Sequence, residues 1–178
     1  MVELLVTITI VVLVTGVIMI RYSSFNSSVL LSGQAYVTAF DIREAQSLAV
    51  SVRGNQSEFR EEYGLYFDLS NPTSYILFQD DDTNGSHSPV RYHESEAIGS
   101  PIRVDSRFRI LDICATSGGS QTCSISNLAI SFKRPDFDAA FYSTSVGAIS
   151  SVEIVLGSAD SSITRSVVVY ASGQISVE

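Results

Sequence analysis

A chain of 178 residues can bury one compact core, with little left for a second domain. Its formal net charge of −8 argues against non-specific nucleic-acid binding, in which Lys and Arg must replace the counterions of the phosphates. Lys133 and Arg134 are the only adjacent cations, a pair that reads as a solvated strand end, so nucleic acid is not an expected partner. The hydrophobic residues, 45% of the total, are unevenly spread: an uncharged apolar run comes first, and a domain rich in Ser, Asp, Gly and Asn follows Arg21.

Residues 4–20 contain no charge, and only Thr7, Thr9, Thr15 and Gly16 dilute the apolar run. As a helix they span about 26 Å, just enough to cross a hydrocarbon core of about 30 Å. A cleaved secretory signal would carry a basic start and a small-residue cleavage site, and this segment has neither. An ordinary single-span anchor fits the length. Arg21 as the sole flanking cation would, however, draw the C-terminal side into the cytoplasm, leaving Cys114 and Cys123 in a reducing compartment. Ahead of the run stands Glu3. A carboxylate at the head of a membrane helix is costly unless paired, which makes it a candidate functional residue. The alternative is an interfacial acid that complements the helix macrodipole.

The opening Met1-Val2-Glu3-Leu4-Leu5-Val6-Thr7-Ile8-Thr9-Ile10, running on to Ile20, resembles the start of mature type IV pilins and type II secretion pseudopilins. That family begins Phe-Thr-Leu-Ile/Val-Glu-Leu-Leu after a short basic leader ending in Gly. Val2 and Glu3 fall on its apolar–Glu pair, and Met1 falls on its Leu. A TTG leucine codon taken as a start would produce this beginning, so Gly-Phe-Thr/Ser is expected in frame upstream; a stop codon there would refute the idea. The missing leader would supply the cytoplasmic positive charge. The resemblance covers about an eighth of the chain. It implies a single-pass protein of the cytoplasmic membrane, with its C-terminal domain outside the cytoplasm and a precursor cut by a prepilin peptidase. It also implies other pilin subunits as partners in an extracellular or periplasmic filament. There Glu3 would pair with the free terminal amine of a neighbouring subunit.

Beyond Arg21 the helical pattern crosses a weak patch, Ser23-Ser24-Phe25-Asn26-Ser27-Ser28, and no proline occurs before Pro72. Leu31, Ala35, Ala39, Ile42, Ala45 and Ala49 then recur at intervals of three and four, one apolar stripe of a helix, with Gln34, Asp41, Arg43 and Ser47 off it. Gly54-Asn55 supplies a stop signal. The pattern predicts one helix from about Val2 to Val52, roughly 75 Å long. Residues 1–22 form its transmembrane half and residues 23–54 its amphipathic half. The serine patch is a place for local unwinding in an assembled filament, or for a hinge between separate helices.

From Tyr63 the period changes to two. Strands are expected over 63–69, 74–79, 102–104, 108–113, 124–133, 151–156, 163–170 and 174–177. Asn71-Pro72, Asn84-Gly85, Gly118-Gly119, Arg134-Pro135-Asp136 and Ser172-Gly173 are the turn signals between them. Short runs and short turns imply antiparallel pairing, with the last two runs as a terminal hairpin. The expected fold class is therefore α+β: a long N-terminal transmembrane helix followed by an antiparallel β-sheet domain over 55–178, packed as a sheet or small sandwich against the helix's second half. Three further stretches are similar to minor pseudopilins of the H type. They are residues 45–53 at the helix end, Tyr75-Ile76-Leu77-Phe78-Gln79-Asp80 followed by Asn84-Gly85, and the closing Ser172-Gly173-Gln174-Ile175.

Cys114 and Cys123 enclose eight residues and are expected to form a disulfide if the domain lies outside the cytoplasm; two free thiols are the alternative. Asp80, Asp82, Asn84 and Gly85 match the first half of an EF-hand-like calcium loop, but its twelfth position is Arg91 rather than Glu. Some pseudopilins bind calcium, so Asp80, Asp82 and Asn84 are candidate Ca²⁺ ligands; the competing assignment is a solvated hairpin turn. His87 and His93 lie in a polar loop, and no nucleophile elbow, Walker loop or HExxH occurs. The expectation is a structural filament subunit and not an enzyme. A ligand- or DNA-binding minor pilin, or a single-span surface protein with an extracellular β-domain, are the alternatives.

Overall fold

The computed structural model describes residues 2–51, 62–80, 91–133 and 137–178. One helix, α1 (Val2–Val50), precedes the strands. These follow as β1 (Glu62–Asp68), β2 (Ser74–Asp80), β3 (Ile102–Arg103), β4 (Phe108–Ser117) and β5 (Ser120–Thr122). After them come β6 (Asn127–Phe132), β7 (Ala139–Tyr142), β8 (Ile149–Ser158), β9 (Thr164–Tyr170) and β10 (Ile175–Val177). They make two five-stranded sheets, in the orders β3-β2-β1-β6-β7 and β10-β9-β8-β4-β5, and every pairing is antiparallel. The fold is α+β with an N-terminal apolar helix.

The apolar stripe of α1 is buried throughout: Leu31, Ala35, Ile42 and Ala45 are fully inaccessible, and Ala39 and Ala49 nearly so. Alanine at four of these positions lets the backbone approach the strands closely, and Leu31 and Ile42 fill the remaining depth. Both sheets turn one face to this stripe and share one core with it. From the first sheet come Tyr63, Leu65, Phe67, Leu128 and Ile130, and from the second Ile113, Val152, Ile154, Val167 and Val169. The pairings Leu65 with Ile130, Phe67 with Leu128 and Ile154 with Val167 align these side chains on one face, as the period of two requires. Each fully buried residue of this size contributes about 1.5–3 kcal/mol of transfer free energy.

Several details differ from the sequence pattern. The helix runs unbroken through residues 23–28, so no hinge separates two helices there. It ends at Val50, where the Ser51 N–H donates to the Ser47 carbonyl and its hydroxyl to Leu48, while Gly54-Asn55 lie outside the described residues. β4 runs four residues beyond the expected 113, because a bulge between Ile110 and Asp112 resets the alternation and lets Ile113 and Ala115 face the core as Phe108 and Ile110 do. The strand expected over 124–133 begins only at Asn127, after Ser124 takes a positive φ of 61°. Two strands, β5 and β7, were not expected at all. The terminal hairpin forms as expected. At its turn Gly173 adopts φ +77°, and any Cβ there would collide with the Phe137 carbonyl.

Candidate functional site

Two surfaces carry the functional question: the length of α1 and the outward face of the first sheet. Along α1, every residue from Val2 to Met19 is exposed, and this span is long and apolar enough to cross a membrane. The hydroxyls of Thr7 and Thr9 donate to the carbonyls of Leu4 and Leu5 at 2.9 and 2.8 Å. Both polar groups are thereby satisfied without water, a condition that a hydrocarbon environment imposes. Glu3 sits exposed in the first turn, where its charge complements the helix N-terminus.

The second half of α1 has two apolar faces. One is the buried stripe. The other consists of Val29, Tyr36, Val37 and Phe40, which are 51–65% exposed and recur at helical spacing opposite the stripe, with Gly33 among them. Polar side chains flank the buried face and fasten it to the domain. Arg165 donates to the hydroxyls of Ser32 and Ser28, at 3.1 and 3.5 Å. Gln34 accepts from the Asp105 N–H at 3.2 Å. Gln46 donates to the carbonyls of Phe137 and Gly173. The buried Tyr75 hydroxyl donates to the Asp41 carboxylate. Burial first, and then this bond to Asp41, push the Tyr75 phenol well above its ordinary range.

Cys114 of β4 and Cys123, just past β5, form a disulfide that closes the β4–β5 hairpin around its Gly118-Gly119 turn. Asp112 lies close to both sulfurs, but the sulfurs are joined to each other. The Asp112 carboxylate accepts the N–H groups of Ile113 and Ser124, at 2.8 and 2.7 Å, and so fixes the loop. Of the candidate calcium ligands, Asp80 is the last residue of β2, paired across the sheet with Glu62. Asp82 and Asn84 lie outside the described residues, as does His87. His93 is exposed beside the 3-10 turn Glu94–Glu96.

The outward face of the first sheet holds a feature that sequence patterning missed. Tyr66 stacks on Tyr92, with ring centroids 4.4 Å apart and planes 24° from parallel, and Phe78 meets Tyr92 edge-on at 5.6 Å. Gly64 makes this possible: a Cβ there would strike both the Phe78 ring and the Ile130 carbonyl. Beside these rings opens a cavity of about 370 Å³. Burial raises the Tyr66 phenol, with Asp68 adding to it, and burial likewise raises Tyr92, with Glu94 and Glu96 adding. In the sequence, Tyr66 is one residue of the strand expected over 63–69, and no local signal ties it to Tyr92.

No family model, curated protein or solved structure matches this chain.

Proposed function

We propose that the chain is a structural subunit of a filament of the type IV pilus or type II secretion pseudopilus kind, held in the cytoplasmic membrane by its N-terminal helix before assembly. One observation carries this reading. The helix presents far more apolar surface than its own domain covers: all of residues 2–19, and then the Val29, Tyr36, Val37 and Phe40 face. Lipid accommodates the first part of that surface. The second part belongs to a stretch that the domain holds against its sheets, and packing against α1 of neighbouring subunits would cover both. Transfer from lipid to a helical filament core exchanges one apolar environment for another, so extraction carries little hydrophobic penalty.

Glu3, at the head of the helix, sets register in this scheme by pairing with the terminal amine of a neighbouring subunit. The precursor is processed by a prepilin peptidase, and the β-domain lies outside the cytoplasm, where its disulfide is stable. The test is Glu3→Ala in the full-length precursor, expressed in its native cells and scored by recovery in sheared filaments. The expected variant stays in the membrane fraction and disappears from filaments. Undiminished assembly, or a wild-type chain never found in a filament, would return the protein to the class of single-span surface proteins.

A further inference from the structure

We propose that the outward face of the first sheet carries a binding site for a neutral saccharide, built around the Tyr66–Tyr92 stack. The cavity beside the stack, about 370 Å³, falls within the range of roughly 300–1,000 Å³ usual for small-ligand sites. Besides the two rings its lining includes the polar side chains of Asp68, Asn71, Arg91, His93 and Glu94. A pyranose ring has a flat apolar C–H face and a rim of hydroxyls, each of which both donates and accepts. Aromatic rings meet the C–H face, and planar polar groups meet the rim. Asp68 and Glu94 accept, Arg91 donates, and Asn71 does both.

Other ligand classes fit this lining less well. A phosphate or sulfate needs converging cations, whereas Arg91 here is accompanied by two carboxylates. A basic peptide would meet Arg91 inside the cavity, and a purely apolar ligand would strip water from three ionic side chains without pairing them. Two carboxylates stand against one guanidinium, and the hydroxyls of an uncharged polyhydroxyl ligand can donate to the former and accept from the latter.

The site is positioned from both sides by backbone pairing and hydrogen bonds. Tyr66 stands on β1 next to Ile76 of β2, in the register of the sheet. Tyr92 precedes the Glu94–Glu96 turn, where the His93 N–H donates to the Glu96 carboxylate at 2.7 Å. Beyond that turn Ile98 donates to the Leu77 carbonyl at 2.8 Å, and Ala97 bridges to Phe78. Both rings are therefore positioned before any ligand arrives, which lowers the ordering cost of binding. Along β1, Tyr63, Leu65 and Phe67 face the core shared with α1, so the alternating Tyr66 and Asp68 point away from the helix. Coverage of α1 by lipid or by another subunit leaves this face open, and the proposal stands whether or not the filament assignment does.

Saturation-transfer difference NMR on the full-length chain in detergent micelles tests it, with the methyl β-pyranosides of glucose, galactose and N-acetylglucosamine as probes at millimolar concentration. The expected result is saturation of the ring protons of at least one glycoside. Tyr92→Ala should weaken it about tenfold or more, and Asp68→Asn, which keeps the side-chain shape, by a smaller factor. Thermal unfolding close to wild type in Asp68→Asn shows that its loss is not misfolding. No transfer to any of the three glycosides overturns the proposal, as does transfer unchanged in both variants. Occupation of the cavity by a lysine-rich peptide, with no glycoside bound, also overturns it.

Discussion

The two halves of α1 are continuous in backbone and opposite in situation. From Val2 to Met19 no side chain is covered by the domain, and the helix is apolar on all sides. From Leu31 to Ala49 one face is sealed against two sheets, while Val29, Tyr36, Val37 and Phe40 remain uncovered on the other. A helix apolar all round is typical of a buried or membrane-spanning segment, and a second apolar face on a packed helix is surface that its own domain leaves to solvent. The domain supplies one neighbour to one half. The contrast therefore separates residues whose burial stabilises this chain alone from residues that the domain leaves exposed, and substitutions can be sorted on that line.

The largest effect on the chain itself should come from the covered face. Ile42→Ala leaves a cavity between helix and sheets and should cost about 2–4 kcal/mol, read as a lower urea midpoint for the detergent-solubilised protein. Phe40→Ala, two residues away on the uncovered face, should stay within about 0.5 kcal/mol in the same titration. Equal losses at the two positions would break the comparison. Next in size is the disulfide, which lies at the β4–β5 hairpin. Replacing both Cys114 and Cys123 by Ser should remove about 2–3 kcal/mol through loop-closure entropy and leave membrane retention unchanged.

An effect smaller than the loss at Ile42 or at the disulfide sharpens the boundary between helix and domain. Tyr75→Phe deletes the hydroxyl that donates to Asp41 and should cost about 1–2 kcal/mol at neutral pH. Its pH dependence has a definite sign. Because the folded state raises the Tyr75 pKa, the phenol's contribution is fully present below its unfolded value of about 10 and is lost as pH climbs above that. Wild type should therefore lose stability more steeply than Tyr75→Phe above about pH 10. Parallel alkaline curves for the two proteins would contradict this account of the contact.

Much of this organisation is legible in the sequence, for identifiable reasons. The intervals of three and four from Leu31 to Ala49 mark the buried stripe because only one helical face meets the sheets. Thr38 escaped the pattern: it is fully buried, but its hydroxyl is satisfied by the Gln34 carbonyl one turn back, so a polar letter occupies a core position. β-branched runs such as 167–169 were readable as strands. Ser120-Gln121-Thr122 was not, since those residues are exposed and owe their pairing to the hairpin turn and the neighbouring disulfide. The alanines of β7 likewise pair because Ser131 and Phe132 present a free ladder to them, not from propensity. On the candidate sites, the spacing of Cys114 and Cys123 allows a short closed loop but leaves free thiols open, and the structure joins the two sulfurs. The Tyr66–Tyr92 cavity could not be read, because it joins residues far apart in the chain through sheet register and the space left by Gly64.

The most direct test of the central claim compares two neighbouring helix positions in assembled material. A photo-cross-linking phenylalanine analogue placed at Phe40 or at Ile42, in full-length protein in native cells, reports what each face touches. The account predicts covalent adducts between chains from position 40, in the filament fraction, and only intramolecular adducts from position 42. Inter-chain adducts absent at both positions, or formed equally at both, would contradict the claim that the uncovered face of α1 is where another subunit packs.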